Sequence, residues 1–218
     1  MLTEIVTWTN QKIENVKTSY TSKPGFLYKT SVTEIRAFIG ILLFLGATKS
    51  SKESTASVWA KDGTGKPICV AAMSERRFLF LVYCLRFDDS TTRARRIAND
   101  KLAPIHNIHD KFVAACEANY TPGTGCTVDE SLHGFREMCS FKQYVPNKPS
   151  KYGINVYVLA GSKTFYSVCS KIYTELALMH RDCQSQHKLF WIWFCQFREQ
   201  TKTLPLTIIT RQFLWPWS

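Results

Sequence analysis

One acidic residue stands where metal-dependent chemistry could take place. Asp129 closes a short run of β-forming residues, Cys126–Val128, and is followed by Glu130. Enzymes that cut and rejoin phosphodiester bonds hold two divalent metal ions between carboxylates at strand ends, and Mg²⁺ prefers these hard oxygen ligands. A strand-end Asp taken alone more often caps a turn. The surrounding sequence therefore has to decide between the two interpretations.

Four later side chains raise the question of a zinc site. They are His180, Cys183, His187 and Cys195. Their spacing is irregular, and the eight cysteines of the chain form no repeated C-x-x-C pattern. We interpret the four residues as accidental neighbours, and most of the cysteines as free thiols in or near a core.

The first 120 residues are predicted to be helical. Ser31 and Glu34 have capping-box spacing, which predicts the start of a helix. By the i, i+3, i+4 rule its buried face should consist of Ile35, Phe38, Ile39, Leu42 and Leu43. A second helix is expected after Ser74, and its apolar face should consist of Phe78, Leu81, Val82 and Leu85. A third helix is expected over residues 106–119.

The pattern changes at the turn-rich segment 121–125. β-Branched and aromatic residues then dominate three segments, which predicts strands at 126–129, 153–160 and 164–173. Residues 161–163, Gly-Ser-Lys, predict a hairpin turn between the last two strands. A helical front half therefore leads into an antiparallel sheet.

The residues around Asp129 resemble the piggyBac transposase family. Val128–Arg136 is similar to the family's Asp-Glu-x-Leu-x-Gly-Phe-Arg segment, and Ser140–Ile154 to its Tyr-x-Pro-x-Lys-Pro-x-Lys-Tyr-Gly-Ile segment. Further family segments follow the same order in the front half: Trp59, Asp62–Ile68, Met73–Ser74, Arg77–Phe78, Leu85–Asp89 and Asp100–Ile105. The resemblance covers residues 1–173. Within it, Glu137–Met138 replaces the family's frequent Gly-Arg, so a negative charge stands in place of a positive one.

This resemblance implies an α+β fold. A helical N-terminal region for dimerisation and DNA binding, residues 1–120, should precede the first strands of an incomplete RNase H-like (DDE transposase) core at 121–174. Asp129 corresponds to the first of three family carboxylates, which bind Mg²⁺ during excision at TTAA sites. The DNA-binding candidates near the cut site are Arg136, Lys142, Lys148 and Lys151. A solvated basic loop is the alternative interpretation of these lysines.

Residues 175–218 depart from the family pattern. The family is expected to have a second catalytic Asp here, in a segment like Asp-Asn-Tyr-Tyr-Thr-Ser. This chain has Trp-rich sequence instead, such as residues 208–217. When the third base of each codon is read with the first two bases of the next, residues 202–217 can encode Asn-Ile-Thr-Phe-Asp-Asn-Tyr-Tyr-Thr-Ser-Ile-Ser-Leu-Ala-Met. The Asp codon then spans Leu206 and Thr207. We interpret 175–218 as an out-of-frame, non-family tail and expect it not to complete the core.

Charge and hydropathy fit a protein that meets nucleic acid. Lys plus Arg outnumber Asp plus Glu by 28 to 17, and the net charge of +11 favours polyanions. Residues 1–20 are too polar for a secretory signal. The longest apolar run, 38–47, is too short for a bilayer, which needs about 20 residues. We expect a soluble intracellular protein without a membrane partner and, by the resemblance, a nuclear one.

Three functional hypotheses follow. The first is a truncated, catalytically inactive piggyBac-derived protein with residual DNA binding, in which Asp129 alone binds no Mg²⁺ productively. The second is a domesticated module that binds DNA or protein, as a homodimer or with a full-length relative. The third is an active cut-and-paste transposase whose translation is wrong beyond about residue 175.

Overall fold

The computed structural model describes residues 1–22, 24–122 and 125–174, and the backbone of 207–210. The described elements, in chain order, are α1 (Leu2–Lys17), α2 (Val32–Ala47), a 3₁₀ turn (Ser50–Lys52), α3 (Thr55–Val58), α4 (Pro67–Ala72), α5 (Glu75–Cys84), α6 (Arg93–Ile97), α7 (His106–Asn119), β1 (Gly125–Gly134), β2 (Gln143–Tyr144), β3 (Tyr152–Gly161), β4 (Ser167–Ile172) and β5 (Thr207–Thr210).

The chain divides into two units, residues 1–108 and residues from 109 onward. The boundary predicted from the sequence lies instead near residue 120, where helix gives way to strand, and it stays a prediction. In the part of the chain that the structure describes, every helix is too short or too polar to cross a membrane.

All three predicted helices are present, and two of them begin with the expected caps. The backbone N–H of Glu34 donates to Ser31 Oγ at 3.2 Å at the start of α2. The N–H of Arg77 donates to Ser74 Oγ at 3.4 Å at the start of α5. These hydroxyls satisfy amide groups that have no partner within the helix, and so they fix where each helix begins.

The buried face of α2 differs from the predicted one. The buried residues are Ile35, Phe38 and Ile41. Leu42 and Leu43 were expected on this face, yet they are 44% and 70% exposed, and Val82 of α5 is exposed as well. Because most of α2 is apolar, its periodicity fits several stripes equally well, and tertiary packing selects one of them.

The core of the first unit forms around Trp59. Its indole ring packs against Phe78, with ring centroids 4.8 Å apart, and Phe78 in turn packs against Phe38 at 5.3 Å. The indole Nε1 donates to the carbonyl oxygen of Met73 at 2.7 Å. The one polar atom of this large ring is therefore satisfied inside the apolar cluster.

A buried ion pair ties this core to the segment before α2. Arg77 is only 2% exposed and donates to both carboxylate oxygens of Glu34, from Nε to Oε1 at 2.8 Å and from Nη2 to Oε2 at 2.6 Å. Its Nη1 donates to the carbonyl oxygens of Phe26 (2.8 Å) and Tyr28 (2.9 Å). The Tyr28 ring stacks 3.8 Å from the guanidinium carbon. One side chain thus joins α5, α2 and the 26–28 segment.

This pairing controls the pKa of the Glu34 carboxyl. Burial raises the pKa, but hydrogen bonds from Arg77 and from Thr30, whose Oγ1 donates at 2.7 Å, outweigh burial and hold the pKa below its usual value. The carboxylate is therefore the stable form in the folded protein at neutral pH.

A sheet organises the second unit, in the strand order β2-β3-β1-β5, with β4 also paired to β3. The β1–β3 and β3–β4 pairs are antiparallel, and β4 has a bulge opposite Leu159 and Ala160. On one face, the partly buried Val113 of α7 and Tyr120 pack against a buried cluster. That cluster consists of Cys126, Tyr157, Leu159, Val168 and Cys169. Burial, aided by Glu117 of α7, raises the pKa of the Cys169 thiol to about 12.

Strand β5 comes from the predicted tail. Residues 207–210 pair in parallel with β1, from Gly125 opposite Thr207 to Val128 opposite Thr210. That the tail does not complete the core stays a prediction. The four residues, Thr-Ile-Ile-Thr, are all β-branched, and that composition favours a strand whatever its origin. The rest of the predicted tail lies outside the described residues.

Replacing Arg77 with Met should destabilise the protein by about 3–5 kcal/mol at pH 7, because the carboxylate of Glu34 would stay partly buried without its partner. Urea unfolding followed by helical circular dichroism measures this change. Arg76→Met is the matched control, since Arg76 is exposed on the same helix. The control should change the free energy of unfolding by less than about 0.5 kcal/mol.

The loss should shrink as the pH falls. With a lowered folded-state pKa, Glu34 stabilises the wild type above its unfolded-state pKa, and this contribution is lost as the pH falls through the folded pKa. In the variant, only the hydrogen bonds from Thr30 and Tyr28 oppose the effect of burial on the Glu34 pKa, so this pKa is higher than in the wild type and protonation removes the poorly paired charge. An equal loss at pH 7 and pH 4 would contradict this assignment.

Candidate active site and nucleic-acid interface

The sequence pattern predicted Asp129 at the end of a strand. In the structure it lies in the middle of β1. It is the fifth of ten strand residues and is paired with Val158 of β3. The ladder continues to Gly153, where a Cβ atom would lie 2.3 Å from the carbonyl oxygen of His133. Only glycine permits this close approach of two backbones. Because pairing with β3 continues to Gly134, β1 is longer than the predicted strand 126–129.

The side chain of Asp129 is exposed. Successive strand residues point to opposite faces, so Asp129 lies on the face opposite the one where Cys126 and Val128 pack. Its Oδ1 accepts a hydrogen bond from the N–H of Glu130 at 2.8 Å. A carboxylate has about four lone-pair sites, so this contact leaves it able to accept a cation.

Two-metal chemistry needs more than this carboxylate. Among the described residues, no three His, Cys, Asp or Glu side chains are grouped as metal ligands. The parallel neighbour of β1 is β5, and its sequence, Thr-Ile-Ile-Thr, contains no carboxylate. Asp129 can supply one oxygen ligand to Mg²⁺, but the described residues do not form a two-metal site. The four side chains considered for zinc lie outside the described residues.

Lys148 connects the candidate DNA-binding loop to the strand of Asp129. Its Nζ donates to the carbonyl oxygen of Glu130 at 3.2 Å. Its N–H donates to the carbonyl oxygen of Val145 at 3.2 Å, and the N–H of Val145 donates to that of Lys151 at 2.8 Å. The Lys151 side chain is exposed. Lys148 therefore contacts Glu130, the residue that follows Asp129 in β1, while Lys151 lies at the surface.

Lys142 and Arg136 lie together at the start of the same loop. Lys142 Nζ donates to the carbonyl oxygens of Glu137 at 3.1 Å and of Arg136 at 3.5 Å, while the Arg136 side chain is exposed. The amine also lies 5.9 Å from the ring centroid of Tyr152, which packs against Tyr144 at 4.7 Å. Sequence reasoning missed this aromatic pair, because β2 is too short to show a strand pattern.

The basic segment Arg93–Arg96 is largely committed to internal contacts. Arg93 and Arg96 both bind the carboxylate of Asp88, which is 8% exposed. Arg96 also donates to the carbonyl oxygen of Ala103 at 2.8 Å. The hydrogen bond to Asp88 raises the pKa of Arg93 above its ordinary value. These two guanidinium groups hold a loop in place, so a run of arginines in the sequence overstates the free positive charge.

Comparison with known proteins decides the family. A family model described as transposase IS4 matches residues 1–190. A chain in the cryo-EM structure of a piggyBac transposase synaptic complex with hairpin DNA is 31% identical in sequence, with a TM-score of 0.78. The chain belongs to this transposase family, and its type is piggyBac. The match covers 96% of this chain and 47% of the other, so this chain spans about half the length of that transposase.

The fold predicted from the piggyBac resemblance is confirmed. Helices precede a small, mainly antiparallel sheet, and the chain matches a fragment of a piggyBac transposase as an α+β protein with a partial DDE-type core. The roles of Asp129, Arg136, Lys142, Lys148 and Lys151 remain predictions. Geometry adds that Lys148 is partly engaged by the backbone of β1, which spacing alone did not indicate.

Replacing Lys148 with Met should loosen the loop of this piggyBac-type domain by about 1 kcal/mol, because a charged donor to the Glu130 carbonyl is removed. The backbone N–H of Val145 should then exchange with solvent deuterium roughly fivefold faster, as hydrogen-exchange mass spectrometry or NMR can measure. Lys151→Met removes an exposed amine from the same loop and serves as the control. Unchanged exchange at Val145 in the Lys148 variant would contradict the tether.

Proposed function

We propose that this piggyBac-type chain binds DNA through its second unit and does not cleave DNA by itself. The observation that carries the proposal is a charge pattern: from Met138 to Thr174 the chain has five lysines and no Asp or Glu. This segment forms β2, β3 and β4, and β3 pairs with the strand that bears Asp129. A DNA duplex carries one negative charge per about 1.7 Å of its axis, so a lysine-bearing segment without carboxylates favours it.

The matched structure supports the choice of partner. Its title describes a synaptic complex of a piggyBac transposase with hairpin DNA, and we extend DNA binding from that protein to this chain. Arg136 and Lys151 are the leading phosphate contacts because both side chains are exposed. Lys142 and Lys148 contribute charge while also donating to loop or strand carbonyls. By the same family membership, we propose a nuclear location and pairing with a second copy or a full-length relative through residues 1–120.

The proposed lack of cleavage rests on the carboxylates. DDE-type transposases use divalent metal, and a two-metal mechanism needs several carboxylates from neighbouring strands. Asp129 is one such residue, but the adjacent strand β5 carries none. The described residues therefore do not fit the metal pair, and no catalytic step is assigned to Asp129. Truncation of the catalytic core by an out-of-frame tail at 175–218 is the corresponding proposal for the gene.

DNA binding should depend steeply on salt. The dissociation constant of the whole chain for a duplex oligonucleotide can be measured by fluorescence anisotropy at several salt concentrations. The logarithm of this constant, plotted against the logarithm of the salt concentration, should rise with a slope of about 0.9 per phosphate contact. Arg136→Ala and Lys151→Ala should each reduce the slope by about 0.9, whereas Lys151→Arg keeps the charge and should leave it unchanged. Absence of binding at low salt would overturn the proposal, as would equal slopes for all four proteins.

A second candidate function is an active transposase whose translation is incorrect beyond about residue 175. One observation favours it: the alternative codons of residues 202–217 place an Asp codon across Leu206 and Thr207, and Thr207 begins the strand that lies parallel to β1. A continuous frame would therefore put a carboxylate in the strand next to that of Asp129. Sequencing the transcript across these codons separates the inactive DNA-binding protein from the active transposase. A reading frame that continues into the family sequence would favour the active transposase, and a confirmed frameshift would exclude it.

A further inference from the structure

The hairpin between β3 and β4 holds an aromatic residue in an unfavourable conformation. Phe165 has a φ of 57° and its side chain is 80% exposed. The left-handed region is unfavourable for a residue with a Cβ atom, and glycine is the usual residue there. An exposed phenyl ring also contributes almost no burial energy. Phe165 is therefore a poor choice for folding, and strained residues of this kind concentrate at functional positions.

The turn fixes this conformation from both sides. The N–H of Phe165 donates to the carbonyl oxygen of Gly161 at 2.8 Å, and the N–H of Gly161 donates to that of Tyr166 at 3.0 Å. The ring of Tyr166 stacks on that of Tyr120, with ring centroids 4.4 Å apart. The hydroxyl groups of Tyr120 and Thr164 form a hydrogen bond of 2.6 Å. The hairpin is thus anchored on both flanks, and it presents the Phe165 ring to solvent from a rigid base.

The chemistry around the ring selects the class of partner. Lys163 lies two residues before it, and Lys171 is on the following strand. No Asp or Glu occurs between residues 138 and 174. An exposed ring alone would suit a protein partner equally well, but a ring in a segment of purely positive charge suits a nucleic acid. Proteins that bind single strands combine these two features, with stacking for the base and cations for the backbone.

We propose that Phe165 stacks on an unpaired base of bound DNA while Lys163 contacts the adjacent phosphate. The proposal rests on DNA binding by the second unit and adds a preference for DNA that is not fully paired. Paired bases within a duplex already stack on both faces, so an unpaired or terminal base accepts the ring without the cost of unstacking a base step. In the register of β3, Val158 lies opposite Asp129 and the turn begins four residues later, at Ser162. At about 3.4 Å per residue, a strand running past Asp129 reaches the ring within about four stacked nucleotides.

The test compares two DNAs that differ in one nucleotide. One is a fully paired duplex, and the other carries a single bulged 2-aminopurine, whose fluorescence falls when a ring stacks on it. The whole wild-type chain should bind the bulged DNA more tightly and quench its fluorescence. Phe165→Gly should weaken binding to the bulged DNA about 5- to 150-fold, the worth of one stacked base, and leave the duplex affinity unchanged.

The variants separate stacking from folding. Phe165→Gly relieves the backbone strain, so its melting temperature should equal or exceed that of the wild type. Phe165→Tyr keeps the ring and should keep both the affinity and the quenching. Equal affinity of wild type and Phe165→Gly for bulged DNA overturns the inference, as does quenching that survives in Phe165→Gly. If the wild type binds neither DNA, the proposed DNA binding itself fails. If it binds both equally and Phe165 has no effect, only the stacking inference fails.

Discussion

Pairing along a single strand, β3, is the constraint on which the second unit depends. Both of its edges are used: β1 occupies one edge, while β2 and β4 share the other. The strand that bears Asp129, the basic loop and the hairpin of Phe165 are thereby fixed relative to one another by backbone hydrogen bonds. Gly153 allows the closest approach, because any Cβ atom there would collide with the backbone of β1. The register of β3 therefore decides which side chains a DNA strand could meet in succession.

The first unit depends on a different balance, between desolvation and pairing. Burying Arg77 is tolerable because every part of its guanidinium group has an acceptor or an aromatic ring beside it. Such a pair adds little net stability over well-packed apolar residues, yet removal of one partner is costly. It also fixes the position of a segment that would otherwise rely on the contacts of Phe26 and Leu27. The arginine therefore holds a loop and two helices in a single arrangement.

Local signals in the sequence predicted the elements, and long-range contacts decided the rest. Hydroxyl caps at Ser31 and Ser74 located two helices, because capping is a contact between near neighbours. The partner of Glu34 was missed because Arg77 lies 43 residues away, and no local pattern encodes that distance. The buried face of α2 was partly wrong because an apolar helix leaves the choice to packing. At the candidate site, motif resemblance selected Asp129 and the lysines, whereas the carbonyl partner of Lys148 depends on how the loop folds back.

A DNA-cleavage assay on the whole chain tests the central claim most directly, that the described residues of this piggyBac-type domain present the carboxylate of Asp129 without the partners that two metal ions require. A labelled duplex containing TTAA would be incubated with the wild type and with Asp129→Asn, in Mg²⁺ and then in Mn²⁺. We expect binding without nicking, and no difference between the two proteins. Metal-dependent nicking by the wild type that Asp129→Asn abolishes would contradict the account, because it would require a complete metal site.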